Sequence, residues 1–435
     1  MKLPHKSLPL SSLGLALCLT GPTQAVTIDG ANQTVNSLGT YIEDWVNELG
    51  QFRQGGGQTT PDENALEALC NDYLSEARGV SEGTPEQRQA VIAMFEDLAH
   101  EEVGALGSGF TDTGQELAGN VVGRLQTIRG GSTLLASHSV MLGQTGGAAG
   151  DDFSRLGVYS NFTFGSGDKD TTTNERGFDF DSQALTFGAD YRYKDGLVAG
   201  AALGFGSSEV DMEGTEANSD GNTISLTFYA TTFQDNWYID ASLGYALHDY
   251  DNSRRVEGTV SGTTVDQTLT SSPDGDSLSL SVGAGFTHQM GQWTGDYALR
   301  VNSVMATIDS YSESGGTLAL NVGKQEVDSL QGILAAQFSK AYSSDSGVLV
   351  PSLGLEIHQE FDDDTRVVSA QYVLDRFNNQ FSFTSDDADS TFYLLNAGTS
   401  WVMSQGRQLF VNWDHIVGLS DVNSNTITAG FRMEL

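Results

Sequence analysis

Cysteine occurs only twice, at Cys18 and Cys70. If the N-terminal leader described below is removed, Cys70 stands alone and no internal disulfide is possible. Basic residues are scarce too, 21 Lys+Arg against 57 Asp+Glu, for a net charge of −36. That balance excludes nucleic acid as an expected partner, because phosphate binding needs clustered cations. It also argues against unaided docking on anionic lipid. After residue 25 no stretch reaches the roughly 18 consecutive apolar residues of a membrane-crossing helix. The mature chain is therefore either soluble or crosses a membrane as a barrel. Proline is rare, with 7 residues against 51 glycines, and no Gly-X-Y period is present, so collagen is excluded. At 38% hydrophobic and 9% aromatic, the chain is no disordered acidic tail.

Residues 1–25 read as a signal peptide. Lys2, His5 and Lys6 form a basic head and Leu8 to Leu19 a short apolar run. Gly21-Pro22 then breaks the helix, and Thr23-Gln24-Ala25 fits cleavage after Ala25. A buried helix is the alternative. Leu17 before Cys18, where a small residue would be needed, argues against a lipoprotein.

Residues 39–129 have helical periodicity. Tyr41, Ile42, Trp45, Val46 and Leu49 share one face, as do Leu66, Leu69, Tyr73 and Leu74 after Pro61. Thr84 is an N-cap, followed by Pro85 at the first helical position and Gln87 three after the cap; Val91, Phe95 and Leu98 follow. Beyond the Gly-rich break at 104–109, Leu117, Val121, Leu125 and Ile128 line a last helix at 111–129. The Gly-, Ser- and Ala-rich stretch 130–150 reads as a connector.

From about residue 153 the period becomes two. In Leu-Ser-Leu-Ser-Val-Gly-Ala-Gly-Phe (278–286), apolar residues alternate with Ser or Gly. Runs of this kind occur near 153–164, 179–193, 196–209, 222–233, 237–247, 278–286, 292–305, 326–341, 347–360, 390–404, 407–418 and 424–435. With the quoted runs extended at their ends, that is twelve strands, mostly longer than the 9–11 or so residues a tilted strand needs to cross a bilayer. Tight turns near 194–196, 234–236, 289–292, 343–346 and 404–406 alternate with polar links at 165–178, 210–221, 251–274, 306–325 and 361–389. Only the link near 419–423 is short out of turn. Alternating short and long connections are the pattern of an outer-membrane barrel.

The charges separate barrel from sandwich. Opposite the apolar parity lie Arg155, Asp190, Arg192, Asp240, Asp296, Arg300, Glu356, Asp414, Arg432 and Glu434, and no mid-strand charge falls on the apolar parity. A charge facing lipid at the midplane costs about 2–4 kcal/mol, whereas a sandwich surface in water would accept it. Trp237, Trp293, Trp401 and Trp413 near strand ends suit interfacial girdles.

Several pieces together resemble the autotransporter family of Gram-negative outer membranes. They are Gly157-Val158-Tyr159, Phe178-Asp179-Phe180-Asp181 and Leu185–Tyr193 in the opening strands, with Thr84-Pro85-Glu86-Gln87 and Arg124-Leu125 upstream. The resemblance covers roughly 85–435. It implies an all-β membrane fold: a twelve-stranded antiparallel transmembrane barrel with a lumenal α-helix, preceded by a short helical N-terminal region. The division it implies is signal peptide 1–25, helical passenger 26–108, linker and plug helix 109–150, and barrel 151–435. The implied work is to anchor and display or secrete the passenger at the cell surface. The implied partners are the outer-membrane bilayer, the barrel assembly machinery and periplasmic chaperones, with the barrel itself a monomer. Twelve strands about 4.8 Å apart and tilted about 40° give a diameter near 24 Å, leaving a bore that one helix 10–12 Å wide could fill. The inward list has six acids and four arginines; Arg124 and Arg129 would offset that difference, and Asp112 and Glu116 on the same helix dilute the effect. The chain departs from the family at Leu435, where an aromatic residue is usual, and in its short helical passenger.

No catalytic, cofactor or metal site is expected. Gly275-Asp276-Ser277-Leu278 spells an esterase signature, but Ser277 starts a barrel strand and the chain has no Asp-x-x-His. Asp414 and His415 point to opposite faces of one strand, so they form no dyad. Asn120 lies where some relatives cut themselves at paired asparagines, but Gly119 precedes it here. The His residues show no metal spacing. Asp362-Asp363-Asp364 and Asp386-Asp387-Asp389 read as solvated loop charge rather than a Ca²⁺ site. The competing functional readings are a porin-like or structural outer-membrane barrel with a periplasmic helical N-terminal region and, far behind, an esterase.

Overall fold

The change of period at about residue 153 is the change of architecture. The structure, a computed structural model, describes residues 28–79, 84–99, 121, 123–126, 128, 155–194, 196–362, 365–387, 389–404 and 406–435. The signal peptide, Asp112, Glu116, Asn120, Arg129, the connector 130–150 and Asp363-Asp364 lie outside these residues.

Three helices come first: α1 (Gln33–Gln54), α2 (Pro61–Gly79) and α3 (Pro85–Ala99). Asn32 caps α1, its Oδ1 accepting from Val35 N at 2.8 Å. The α3 capping box forms as the sequence predicts, with Thr84 N donating to Gln87 Oε1 at 2.9 Å and Gln87 N to Thr84 Oγ1 at 3.3 Å. Thr60 and Glu63 form a second such box at the start of α2.

The strands are β1 (Leu156–Lys169), β2 (Phe178–Lys194), β3 (Leu197–Met212), β4 (Ala217–Gln234), β5 (Trp237–Val260), β6 (Thr263–Ser271), β7 (Asp274–Met290), β8 (Trp293–Ile308), β9 (Tyr311–Ser312), β10 (Leu320–Val322), β11 (Gln325–Lys340), β12 (Tyr342–Ser344), β13 (Gly347–Glu360), β14 (Val367–Tyr372), β15 (Phe381–Thr384), β16 (Thr391–Val402), β17 (Arg407–Val417) and β18 (Val422–Glu434). Twelve of them form an antiparallel meander in which β1 pairs with β18 and β11 with β13, so the sheet closes on itself. Closure leaves no long edge to solvate in lipid. Leu435 N donates to Leu156 O at 2.9 Å, continuing the seam to the last residue.

The predicted parity holds in three dimensions. Leu243, Leu280, Val282, Leu299 and Leu353 face outward from the barrel, whereas Ser277, Asp190, Asp240, Arg300 and Arg432 are buried on its inner face. Trp237, Trp293 and Trp401 stand exposed at the tight-turn end, and Lys340 Nζ lies 5.8 Å from the Trp293 ring centroid. Tight turns use left-handed residues where needed: Asp235 has φ 54° and Gly196 φ 83°. A Cβ at Gly196 would also fall 2.2 Å from Phe233 O.

Two of the expected links are largely strand. The link 210–221 shrinks to 213–216, and most of 251–274 is the upper part of β5 paired with β6. The outer face of β5 explains this. Its residues are apolar from Trp237 through Ile239, Ala241, Leu243, Tyr245 and Leu247, then become Asp249, Asp251, Ser253, Arg255 and Glu257. The apolar stretch of 11 residues suits one bilayer crossing. Above it both faces leave the hydrocarbon, so pairing continues without apolar alternation.

Glycines on the inner face do more than alternate. Tyr159 lies directly across the ladder from Gly188, Tyr238 from Gly285 and Phe410 from Gly430. A Cβ would meet the facing ring at 2.2 Å at Gly188 and at 2.3 Å at Gly285 and Gly430. Each ring therefore lies flat over bare backbone. Gly188→Leu is expected to destabilise the barrel by about 1–3 kcal/mol through overpacking. The check is the temperature at which the fast-migrating folded band disappears in unheated electrophoresis; no change would contradict the close contact.

Candidate functional site

The long-link end and the lumen are the two places where the helical and barrel parts meet. Strands β9, β10, β14 and β15 come from the links 306–325 and 361–389 and form a second, four-stranded sheet in the order β15-β14-β10-β9. A bridge between Thr270 and Ser314 ties it to β6, and Arg254 of β5 holds Glu313 through two hydrogen bonds of 2.7 and 2.8 Å. The result is a crown over the long-link end.

The three helices sit on this crown and share its core. Tyr41, Trp45, Phe95, Tyr372 and Phe381 belong to one buried cluster with Leu320, Val368 and the upper parts of β5 and β8. The Tyr41 ring lies 5.2 Å from Phe381 and 5.7 Å from Tyr372, centroid to centroid. Its hydroxyl donates to Asp375 Oδ2 at 3.1 Å and accepts from Tyr372 N at 2.9 Å. Burial, reinforced by the Asp375 carboxylate, pushes the Tyr41 hydroxyl pKa well up, so it stays a donor at any ordinary pH. Cys70 is buried in the same core, and burial raises its thiol pKa. It is a packed side chain, not an accessible thiol.

In the lumen, the described residues of 121–128 are helical. Val121, Leu125 and Ile128 pack on Tyr159, Val198, Ala202 and Tyr229 of β1, β3 and β4. Arg124 Nε donates to Asp190 Oδ2 at 2.6 Å, the Tyr229 hydroxyl donates to the same oxygen at 3.1 Å, and the Arg124 guanidinium lies 5.1 Å from the Tyr159 ring centroid. Both side chains of the ion pair are buried, and removing one partner of such a pair typically costs 3–5 kcal/mol or so. Asp190 was legible as a lumenal acid and Arg124 as a compensating cation; their pairing was not.

The opposite wall of the lumen stays open. A cavity of about 270 Å³ lies beside Gly123 and Gln126 and is lined by Asp296, Arg300, Glu356, His358 and Asp414, among others. Its charges are satisfied within the wall: Tyr238 donates to Asp296 at 2.7 Å, Asn396 to Asp414 at 2.6 Å, and Arg300 stands 3.9 Å from Glu356. Charged and polar side chains thus line this wall without leaving those charges unpartnered. Arg155, by contrast, is exposed at the start of the barrel rather than inside it.

The remaining sequence candidates fall as follows. Ser277 does meet a histidine, which sequence spacing did not reveal: His248 Nε2 lies 2.9 Å from Ser277 Oγ. The other His248 nitrogen faces the Thr223 hydroxyl at 2.8 Å, where a nucleophile-activating pair would need a carboxylate. Both residues are buried. His415 stacks on Trp413 while Asp414 bonds Asn396 across the lumenal face, so the two part company as expected. The acids at 386–389 are not merely solvated. Asp386 accepts from Thr172 at 2.5 Å and Asn174 at 3.0 Å, and Asp389 accepts from Ser420 N at 2.6 Å. Among the described residues no group of three or more His, Cys, Asp or Glu is placed to hold a metal ion.

The autotransporter beta-domain family model matches residues 158–414, more than half of the chain. The chain belongs to the autotransporter β-domain family. That makes it an outer-membrane translocator barrel. The translocator domain of the autotransporter NalP from Neisseria meningitidis has the same fold, with a TM-score of 0.53 at 16% identity over 76% of this chain and 99% of that one. The β-domain of the Bordetella autotransporter Brka aligns over 64% of this chain and 100% of its own, at 17% identity and a TM-score of 0.44. The transport unit of the autotransporter AIDA-I from Escherichia coli aligns over 67% and 94%, at 12% identity and a TM-score of 0.45. No curated protein sequence matches the chain.

Proposed function

We propose that this autotransporter barrel carries its own N-terminal segment, 26–108, across the outer membrane and displays it at the cell surface. Residues 109–150 are the part that threads the lumen and links back to the first strand, and 151–435 is the barrel. Assembly relies on the barrel assembly machinery and periplasmic chaperones, and the barrel works as a monomer. It needs no catalytic residue, cofactor or metal, because translocation asks for a polar bore and a stable wall.

One observation carries this reading: α1–α3 rest on the long-link crown, while Arg124 is held inside the barrel by Asp190. Asp190 lies four residues before the end of β2 at a tight turn. The helices and the Arg124 segment thus occupy opposite ends of the barrel. In outer-membrane barrels the long connections face the exterior and the short turns the periplasm, which supports the reading that the helices lie outside.

An epitope placed just ahead of Ile28 tests this. An antibody is expected to bind it on intact cells. Binding only after permeabilisation of the outer membrane would favour the porin-like barrel with a periplasmic N-terminal region.

A further inference from the structure

The crown sheet is incomplete without the helices. Strand β15 is its edge, and an open edge offers unpaired backbone donors. Here α1 supplies the partners: Ser382 N donates to Ser37 Oγ at 3.0 Å and Thr384 N to Thr34 Oγ1 at 3.2 Å. The inner face of the sheet carries Tyr372, Phe381, Phe383, Ala370 and Val368, all buried, and α1 is the layer packed on β15. Without that layer these aromatic side chains would face water, an apolar surface that soluble faces avoid.

Charge points the same way. The helices present acids and the barrel loops present the matching donors. Arg376 Nε donates to Glu63 at 2.7 Å, Arg176 to Asp97 at 2.8 Å and Arg254 to the Asp97 carbonyl at 3.3 Å. Asn379 donates to Glu48 at 2.8 Å, Thr263 to Asp72 at 2.6 Å and Ser261 to Glu76 at 2.7 Å. In a chain with only 21 Lys+Arg, two arginines of the barrel loops, Arg176 and Arg376, serve this one contact, and Arg254 of β5 adds a bond to it. Arg376 also lies over Phe52, 4.5 Å from its centroid. A surface so matched in shape, hydrogen bonding and charge has one occupant, the chain's own helices.

We propose that α1–α3 and the loop sheet are two halves of a single surface domain, and that the exported helices are held on the barrel by this interface independently of the peptide chain joining them. The passenger is then a lid over the barrel mouth rather than a released effector. The proposal rests on the surface reading above, and its test separates the two.

The test uses the full chain in cells, with an epitope ahead of Ile28 and a specific protease site inserted between Gly107 and Ser108. Protease added to intact cells is expected to cut the chain, as seen on a denaturing gel, and the epitope-bearing fragment to stay with washed cells. Cutting with loss of the fragment to the medium overturns the proposal and leaves surface display standing. Cutting only after outer-membrane permeabilisation overturns the surface reading itself. In a second variant, Tyr372→Ala with Arg376→Glu, and with a folded barrel confirmed by its heat-modifiable band, the cut fragment should appear in the wash at least about tenfold more. That is the loss expected on truncating a buried aromatic anchor of an interface. Retention equal to the parent would show that this interface does not hold the fragment.

Discussion

Leu280→Arg is expected to abolish most heat-modifiable barrel in the outer membrane, while Ser279→Arg, one residue away, leaves most of it. Leu280 faces outward at 46% exposure, across from Leu243 on β5, within the apolar span set by the outer face of β5. A cation there meets hydrocarbon and costs about 2–4 kcal/mol. That is a sizeable part of the 5–15 kcal/mol or so of a typical fold, and it applies while the barrel is still inserting. Ser279 instead lines the open lumenal cavity with Asp296 and Asp414, where a guanidinium finds water and acids. Equal folded yields from the two variants would mean that the parity, and with it the membrane face, is misassigned.

Deleting residues 111–129 is expected to convert a weakly conducting barrel into an open pore in planar bilayers. The described part of that segment fills the β1–β4 side of the lumen through Val121, Leu125 and Ile128 and is fixed by Arg124 on Asp190. Its removal would add the width of a helix, about 10–12 Å, to the part of the bore already open, so single-channel conductance should rise. The inner wall left behind is polar, with Ser277, Asp240 and Arg300 among its side chains, and would stay wet. Folded barrel is confirmed in the deletion by its heat-modifiable band. If the intact protein already conducts as well as the deletion, the lumenal segment does not close the bore and the porin-like reading gains.

The barrel was legible because lipid imposes a strict rule on every second residue. Each strand seen in the alternation is present, and the inner charges at Asp190, Asp240 and Arg300 are where the parity puts them. The strand ends at the crown were not legible. Above the bilayer both faces of β5 are wet, so Asp249 to Glu257 look like a loop while pairing as a strand. The helices were legible from their caps and apolar faces, but their seat was not. Tyr41 meets Tyr372 and Phe381 across more than three hundred residues of chain, and no local pattern encodes such a partner. The same holds for Tyr159 on Gly188 and for His248 on Ser277: the residue types were visible, and the register that joins them came only with the closed sheet.

The most direct test of the account uses the thiol inside α2. Cys70 is buried at 1% exposure in the core shared with the crown, whereas Ser75 on the same helix is exposed. On intact cells a membrane-impermeant maleimide is expected to leave the native protein unlabelled until it is extracted and denatured. The variant Cys70→Ser with Ser75→Cys should instead label readily on intact cells. That pair of results places a folded α2 at the cell surface. Labelling of Ser75→Cys only after the outer membrane is permeabilised would contradict display, and Cys70 labelling as fast as Ser75→Cys would contradict the packed seat of the helices on the barrel.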